Sequence, residues 1–403
     1  MYDVIVVGAG PAGSTAAKTL REKGVSVLLL DKSSFPREKT CGGGMPTRVW
    51  KRFPYIEPYI DSLSYGSDTY SMSLRYKLHV LRDAPMLGMV MRQDFDAVLL
   101  RFAVEAGVEF RPQTGVVDMQ VQEDRVQLTL SSGETVEAKV VIGCDGTNSL
   151  VAKKAGLSSP EDMKCVCLVA EHPMTEAAVE AQYSKQRVVH LFIKAQGIAG
   201  YGWVFPKKQC VNIGIGEFTS AAPTNASRRS LKETFTLFLA SLKAQGLLPE
   251  DFSESEAKGA VLPIFPLKKT YADRVVVCGD AAVFINPISG EGIYYAMASG
   301  QLAAGVIHEA LAAGDFRAAF LKRYQQRWWK DFGRDLKVLG GFNNQWGKNS
   351  ERIVRLLVRD KKLAKLAIGV TGGQISIARY RGVLYLRVLY VMLKEAVSPQ
   401  KAA

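Results

Sequence analysis

Four residues near the start of the chain have the types and spacing to hold a diphosphate. Gly8, Gly10 and Gly13 set G-x-G-x-x-G inside VIVVGAGPAGS, and Asp31 closes the next apolar run, VSVLLLD, 18 positions after Gly13. In this pattern the first glycine permits a tight turn, the second lets backbone approach a pyrophosphate, and the third lets the following helix pack on the strand. The helix N-terminus then faces the phosphates. A carboxylate ending the second strand accepts hydrogen bonds from ribose hydroxyls, which favours FAD or NAD over NADP. A second glycine-rich signature, VVVCGDAAVFINPISGEGIYYAMASG, runs from Val275 to Gly300. Its apolar strand delivers Asp280 to the carboxyl edge of a sheet, and NPISGEGI brings a turn onto the start of a helix. That arrangement suits a ribityl chain and an isoalloxazine edge, so the two signatures read as halves of one flavin site.

The elements that must position these residues follow from periodicity. Tyr2 to Asp31 reads as strand, turn, helix, strand. FPREKTCGGGMP follows, a loop whose three adjacent glycines imply an unusual backbone path. YSMSLRYKLHVL, within residues 69–90, alternates in places and predicts strands of a separate antiparallel sheet. A helix is expected from Arg92 to Ala106, with Phe95, Val98, Leu99 and Phe102 at helical spacing. Residues 108–143 predict a strand, the hairpin VQLTLSSGETVEAK and the apolar strand VVIGCD. From Cys165 to Gly216, RVVHLFI and CVNIGIG predict a second sheet with one face covered. Ser227 to Ala244 has helical pattern, VLPIFPL is a proline-punctuated crossover, and helices fill the end. The expected fold is α/β: a Rossmann-like FAD-binding domain from residues 1–68, 91–160 and 270–310, an inserted antiparallel-sheet substrate domain from 69–90 and 161–269, and a basic helical region at 311–403.

At 403 residues and 47% hydrophobic the chain can bury a large core. Six cysteines without C-x-x-C spacing and four histidines predict no metal site, and free thiols fit a reducing cytoplasm. The first strand begins at once, which predicts no secretory leader. The most apolar late run, YRGVLYLRVLYVML, is interrupted by Arg381 and Arg387, so no spanning helix is expected. Net charge is +13, and it is uneven: from Arg317 onward 19 Lys and Arg face five Asp and Glu. That excess is either a solvated helical face or a surface for anionic headgroups, diphosphate-bearing substrates or an acidic electron donor. No nucleic-acid motif accompanies it, so nucleic acid is not expected as a partner.

Five blocks then carry a resemblance to the p-hydroxybenzoate-hydroxylase-like flavoproteins and, within them, to the geranylgeranyl reductase family. GAGPAGS, GCDGTNSLVAKKAG around Asp145 and Gly146, and GDAAVFINPISGEGI resemble superfamily-wide motifs. FPREKTCGGGMP and YGWVFPKKQCVNIGIG are narrower, similar to the reductases' cysteine-glycine loop and Y-x-W-x-F-P motif. The resemblance implies FAD contacts at Gly8, Gly10, Ala12, Gly13, Asp31, Gly42, Gly43, Met45, Arg92, Asp280, Gly292 and Ile293, with a backbone contact near Val116. Glu291 departs from the archaeal lipid-saturating pattern, which has a further glycine there, and matches the G-E-G form of chlorophyll-pathway members.

The activity so implied is saturation of a geranylgeranyl or related polyprenyl chain, on an isoprenoid lipid or prenyl diphosphate, by hydride from reduced flavin. Tyr201, Trp203 and Phe205 alternate on one strand, so they share a face and make an apolar wall, with Pro206 ending the strand. Cys41 either donates a proton or packs on the flavin ring. Cys165 and Cys167 share a strand face and are assigned nothing, His190 reads as core or surface, and Tyr294 and Tyr295 line a cavity or pack. The electron donor is NAD(P)H or a small acidic carrier such as ferredoxin. The protein is expected to be cytoplasmic, with a peripheral membrane contact through the basic C-terminal region. Two other readings share the residues: an aromatic-ring monooxygenase, and a membrane-surface flavoprotein that passes electrons without substrate chemistry. A flavin halogenase would bear W-x-W-x-I-P and an upstream lysine; Lys77 lies in the right region, but of the two tryptophans only Trp203 is present.

Overall fold

The computed structural model of the chain describes residues 1–157, 164–219, 229–254, 257–264 and 266–397. Its packing divides into two units. Met1–Lys39, Met91–Lys164 and Leu262–Leu336 form the first; Thr40–Val90, Cys165–Val261 and Lys337–Ala403 form the second.

In the first unit the strand Tyr2–Val7 lies at the centre of a sheet. Val27–Leu30 and then Glu109–Arg111 run parallel to it on one side, and Thr135–Gly143 and then Val275–Val277 on the other. Tyr271–Ala272 closes one edge antiparallel, and the hairpin Val116–Val121 and Val126–Leu130 hangs from Thr135–Gly143. Val4, Ile5, Val6, Leu28, Leu29, Val140, Val141 and Val276 have no exposed surface. Burial on both faces is why these strands read as unbroken apolar runs rather than as alternations. The strand order reverses between Tyr2–Val7 and Thr135–Gly143. In open α/β sheets that reversal leaves a crevice at the carboxyl ends of the strands, and Gly8 stands there.

Helices Pro11–Arg21 and Ile293–Ala313 pack together through small residues. A Cβ on Gly300 would sit 2.3 Å from the Ala12 carbonyl oxygen, and one on Gly279 3.1 Å from the Ala12 Cβ. The helix Arg92–Glu105 turns Phe95, Asp96, Leu99, Leu100 and Ala103 inward. Val98 and Phe102, expected on that face, are only partly buried. The face is displaced because Asp96 is buried, and a buried carboxylate must meet cations: it takes two hydrogen bonds from Arg92, each 2.9 Å, and a 3.1 Å contact from Arg37.

In the second unit the strands follow the order Lys258–Pro263, Lys164–Pro173, Cys210–Thr219, Gly200–Pro206, Val189–Ile193, Gly66–Tyr70 and Lys77–Leu81. Val189–Ile193 runs parallel to Gly66–Tyr70, so the sheet is mixed where an antiparallel one was expected. A parallel pair needs a long crossover, and the excursion of the chain through residues 91–164 supplies it. The helix Leu231–Ala244 covers one face with Phe235, Phe238, Leu239 and Leu242. Its N-terminus is a capping box between Ser230 and Glu233; Ser227, where the helix was expected to start, lies outside the described residues. So do Phe265 of VLPIFPL and the expected boundary at residues 160–161.

The units divide the chain differently from the sequence expectation: the first begins its last segment at Leu262 rather than at residue 270, and the expected C-terminal region at 311–403 is split after Leu336. Residues 40–68 go with the second unit, because Gly44–Pro46 and Ser62–Ser64 both pair with Leu87–Met89. Residues 311–336 go with the first. There the Tyr324 hydroxyl donates to the Val277 carbonyl oxygen (3.0 Å), and Trp328 stacks on Phe332 and donates to the Thr270 hydroxyl (2.9 Å). The C-terminal helices are Arg334–Arg359, Lys361–Thr371 and Ile377–Val397. Among the described residues no helix is long and apolar enough to cross a membrane.

Gly300→Ala is expected to destabilise the chain by about 1–3 kcal/mol, because the added methyl must push the two packed helices apart. The urea midpoint reads this; an unchanged midpoint contradicts the close approach.

Candidate active site

The two glycine signatures of the first unit meet. Gly8 has φ +101°, and a Cβ there would lie 2.3 Å from the Cys144 carbonyl oxygen; one on Gly13 would lie 1.8 Å from the Gly8 oxygen. Both positions therefore admit only glycine. Gly10 differs: among the described residues the one atom within 4 Å of its Cβ direction is Nη2 of Arg37, 3.4 Å away. It is the N-cap of Pro11–Arg21, and no side chain caps that helix. An open glycine, an uncapped helix N-terminus and an adjacent guanidinium together form a cradle for a diphosphate, so the residues present fit FAD. Asp31, 8% exposed, accepts from the amides of Ala9 (2.7 Å) and Ser33 (2.8 Å), which aims its carboxylate across the glycine turn. The Asp31 carbonyl accepts from Thr114 N–H at 2.7 Å, bringing the segment that leads into Val116 alongside.

Ala12 lies between Gly279 and Gly300, so the second signature closes on the first. Asp280 follows the strand Val275–Val277, and the Gly292 Cβ direction points to its Oδ1 at 3.7 Å. Gly292 and Ile293 open the helix Ile293–Ala313. Asn286 Oδ1 accepts from the amides of Ile288 and Ser289, and Glu291 Oε1 accepts from the Tyr294 amide at 2.7 Å. Glu291 is thus a cap for that helix, which gives the residue a structural task where other patterns have glycine. Tyr295 is core, packed on Phe332, while Asp145 caps Leu150–Lys154 through Ser149 and the Val151 amide.

The second unit gathers the other expected residues. Tyr201, Trp203 and Phe205 stand in a row on Gly200–Pro206, with ring centroids 5.6 and 6.1 Å apart. Trp203 is buried over Gly214, where a Cβ would come within 2.3 Å of the indole, while Tyr201 and Phe205 are half-buried. Burial pushes the Tyr201 phenol well up, so its O–H stays protonated at physiological pH. Pro206 is buried and ends the strand. The loop from Cys41 lies on this row: Cβ atoms on Gly42 and Gly44 would come 3.1 and 3.2 Å from the Phe205 ring. Gly43, at φ +72°, would meet the Val90 oxygen at 2.2 Å. The Cys41 thiol is half-buried and accepts from the Gly43 amide at 3.4 Å. Met45 is fully buried under this loop.

Cys165 and Cys167 lie behind this row, 3.6 Å apart. The shared hydrogen bond and burial push the Cys165 thiol up. His190 is buried beside Tyr70, and burial pulls it down to about 4, so it is neutral at physiological pH and serves the core. Lys77 is bound to Asp68 at a sheet edge. Sequence reasoning missed Arg37, Asp96, Asn212, Glu171 and Lys207. Only Arg37 carried a signal, its place in FPREKT ahead of the glycine loop; the rest act through contacts between distant segments.

Fold and cradle define an FAD-binding flavoprotein. The family described as FAD binding domain matches residues 1–328. A digeranylgeranylglycerophospholipid reductase of Methanocaldococcus jannaschii is 30% identical over 81% of this chain and 82% of its own. A geranylgeranyl diphosphate reductase of Rhodobacter capsulatus is 32% identical over 88% of this chain and 87% of its own. A geranylgeranyl bacteriochlorophyll reductase-like structure from Thermoplasma acidophilum superposes with TM-score 0.79 at 22% identity, covering 94% of this chain and 98% of that one. A flavin-dependent brominase has the same fold, with TM-score 0.74 at 20% identity over 96% of this chain and 99% of that one. The chain belongs to the geranylgeranyl reductase family of FAD-dependent oxidoreductases.

Gly10→Val fills the open side of the cradle without a backbone clash. It is expected to weaken FAD binding about ten-fold or more, which is at least about 1.4 kcal/mol, while the apoprotein's unfolding midpoint stays put. Unchanged affinity for FAD contradicts the placement of the diphosphate.

Proposed function

We propose that the chain saturates C=C bonds of a geranylgeranyl or related polyprenyl chain, presented on an isoprenoid lipid or a prenyl diphosphate. The observation that carries this reading is the aromatic row Tyr201, Trp203 and Phe205 with the Cys41–Gly44 loop laid against it. An isolated alkene offers no heteroatom to grip, so shape and apolar contact must orient it. Bound FAD, once reduced, supplies the hydride. The chain's own residues bind and orient. Gly8, Gly10, Ala12 and Gly13 with Arg37 hold the diphosphate, Asp31 the ribose, and Asp280, Gly292, Ile293, Arg92 and the backbone near Val116 the remainder of the cofactor. The family resemblance adds Gly42, Gly43 and Met45 to the cofactor's contacts. Tyr201, Trp203 and Phe205 flatten the prenyl chain and exclude water, and Pro206 ends that surface. Cys41 Sγ–H holds the proton that the carbon next to the hydride acceptor requires. Electrons come from NAD(P)H or a small acidic carrier such as ferredoxin, and the basic stretch after residue 317 favours the acidic carrier.

The C-terminal helix adds a partner to this reading: an anionic lipid surface on the cytoplasmic side. Ile377 and Val391 are buried, whereas Tyr385, Leu386 and Leu393 are 68%, 64% and 59% exposed. Arg379, Arg381 and Lys394 rim that outward face, and Arg387 is bound to Asp360. Apolar residues bordered by cations fit anionic headgroups over acyl chains. A second copy on the same face would bring like charges together.

Anaerobic incubation of the dithionite-reduced holoenzyme with geranylgeranyl diphosphate is expected to give products heavier by about two mass units per saturated bond. Trp203→Ala is expected to lower product while FAD content stays constant; no saturated product from the wild type contradicts the reading. In flotation, the protein is expected to rise with vesicles containing phosphatidylglycerol and not with phosphatidylcholine alone. Leu386→Glu with Leu393→Glu is expected to cut vesicle binding about ten-fold. A dimer split by those substitutions, without vesicle binding, overturns the lipid contact.

A further inference from the structure

We propose that Asn212 is a positioning residue that sets the Cys41 thiol against the aromatic row. This rests on the reductase reading for its consequence in catalysis, but not for its geometry. Asn212 is fully buried in the strand Cys210–Thr219. Its Oδ1 accepts from Trp203 Nε1–H at 2.8 Å. Its Nδ2 donates to the Cys41 carbonyl oxygen at 3.1 Å and to Glu171 Oε1 at 3.1 Å. One side chain thus ties three segments: the aromatic strand, the cysteine loop and the strand Lys164–Pro173.

The partners dictate the residue type. An indole N–H only donates and a peptide oxygen only accepts, so the group between them must accept on one side and donate on the other. Asparagine does both from a planar amide. Aspartate would accept from the indole but turn a lone pair toward the Cys41 oxygen and a second carboxylate toward Glu171. Leucine, of similar size, would leave a buried indole N–H and a carbonyl unsatisfied.

The same network reaches the loop at a second point. Glu171 pairs with Lys207, whose ammonium is fully buried, and a Cβ on Gly43 would lie 3.0 Å from that nitrogen. Asn212 therefore fixes the loop at Cys41 while the ion pair borders it at Gly43. Because the Gly43 amide donates to Cys41 Sγ, the backbone position is passed on to the thiol. Loss of the amide at 212 frees the loop at the residue that carries the sulfur.

The test uses FAD-loaded enzyme, with Asn212→Leu and Asn212→Asp compared with wild type in two readouts. One is kcat and KM for geranylgeranyl diphosphate with dithionite as reductant; the other is the rate of iodoacetamide alkylation at Cys41, read from the peptide by mass spectrometry. The expected result is a fall in kcat of about ten-fold with KM held within about two-fold, and a change in Cys41 alkylation of about five-fold or more. Trp203→Phe removes the indole N–H while keeping an aromatic ring in the row and is expected to move alkylation in the same direction, so the proposal stands or falls even if an Asn212 variant fails to fold. Alkylation within about two-fold of wild type in these variants overturns it. If the wild type forms no saturated product, the reductase reading fails while the alkylation arm still judges Asn212.

Discussion

Backbone-on-backbone contact at Gly8 and Gly13 is the constraint on which the rest of the first unit depends. Where a Cβ would lie 2.3 Å from one carbonyl oxygen and 1.8 Å from another, no other residue lets the strand, the turn and the helix meet. That contact places the N-terminus of Pro11–Arg21 at the carboxyl edge of the sheet, at the point where the strand order reverses. Of the three glycines in the first signature, Gly10 differs in meeting no backbone atom within 4 Å of its Cβ direction, so it leaves the helix N-terminus open on that side. Gly279 and Gly300 repeat the device, allowing the second signature to close on Ala12.

The second unit solves a different problem. It holds a row of tilted aromatic rings and a cysteine beside each other without a cofactor-like anchor between them. Glycine again permits the approach, at Gly42 and Gly44 on Phe205, but specificity of placement comes from polar groups that the row's own tryptophan joins. Trp203, Asn212, Glu171 and Lys207 form a hydrogen-bonded set in which every partner is dictated by donor and acceptor character. An apolar surface exposed to a lipid chain can be built from aromatics alone; its register with a thiol cannot.

The legible part of the molecule was the part encoded over short stretches. Gly8, Gly10, Gly13 and Asp31 sit within one strand-turn-helix-strand unit, and the alternation of Tyr201, Trp203 and Phe205 is a property of a single strand. Residues 40–68 were harder, because their strands pair with Leu87–Met89, a partner that periodicity in the segment itself does not name. Asp96 drew no reading from the sequence, and in the fold it is the buried counterion of Arg92 and Arg37. Asn212 sits mid-strand in CVNIGIG, and its partners lie 9, 41 and 171 positions away. Such groups become visible only when distant segments have met.

Saturating an alkene requires electrons to pass from the reduced flavin into it. The direct measurement is a stopped-flow record of the reduced, FAD-loaded protein mixed without oxygen with geranylgeranyl diphosphate. Return of the oxidised flavin spectrum, dependent on the concentration of the prenyl compound, is the result expected of a prenyl reductase. A spectrum that stays reduced until oxygen is admitted would contradict it.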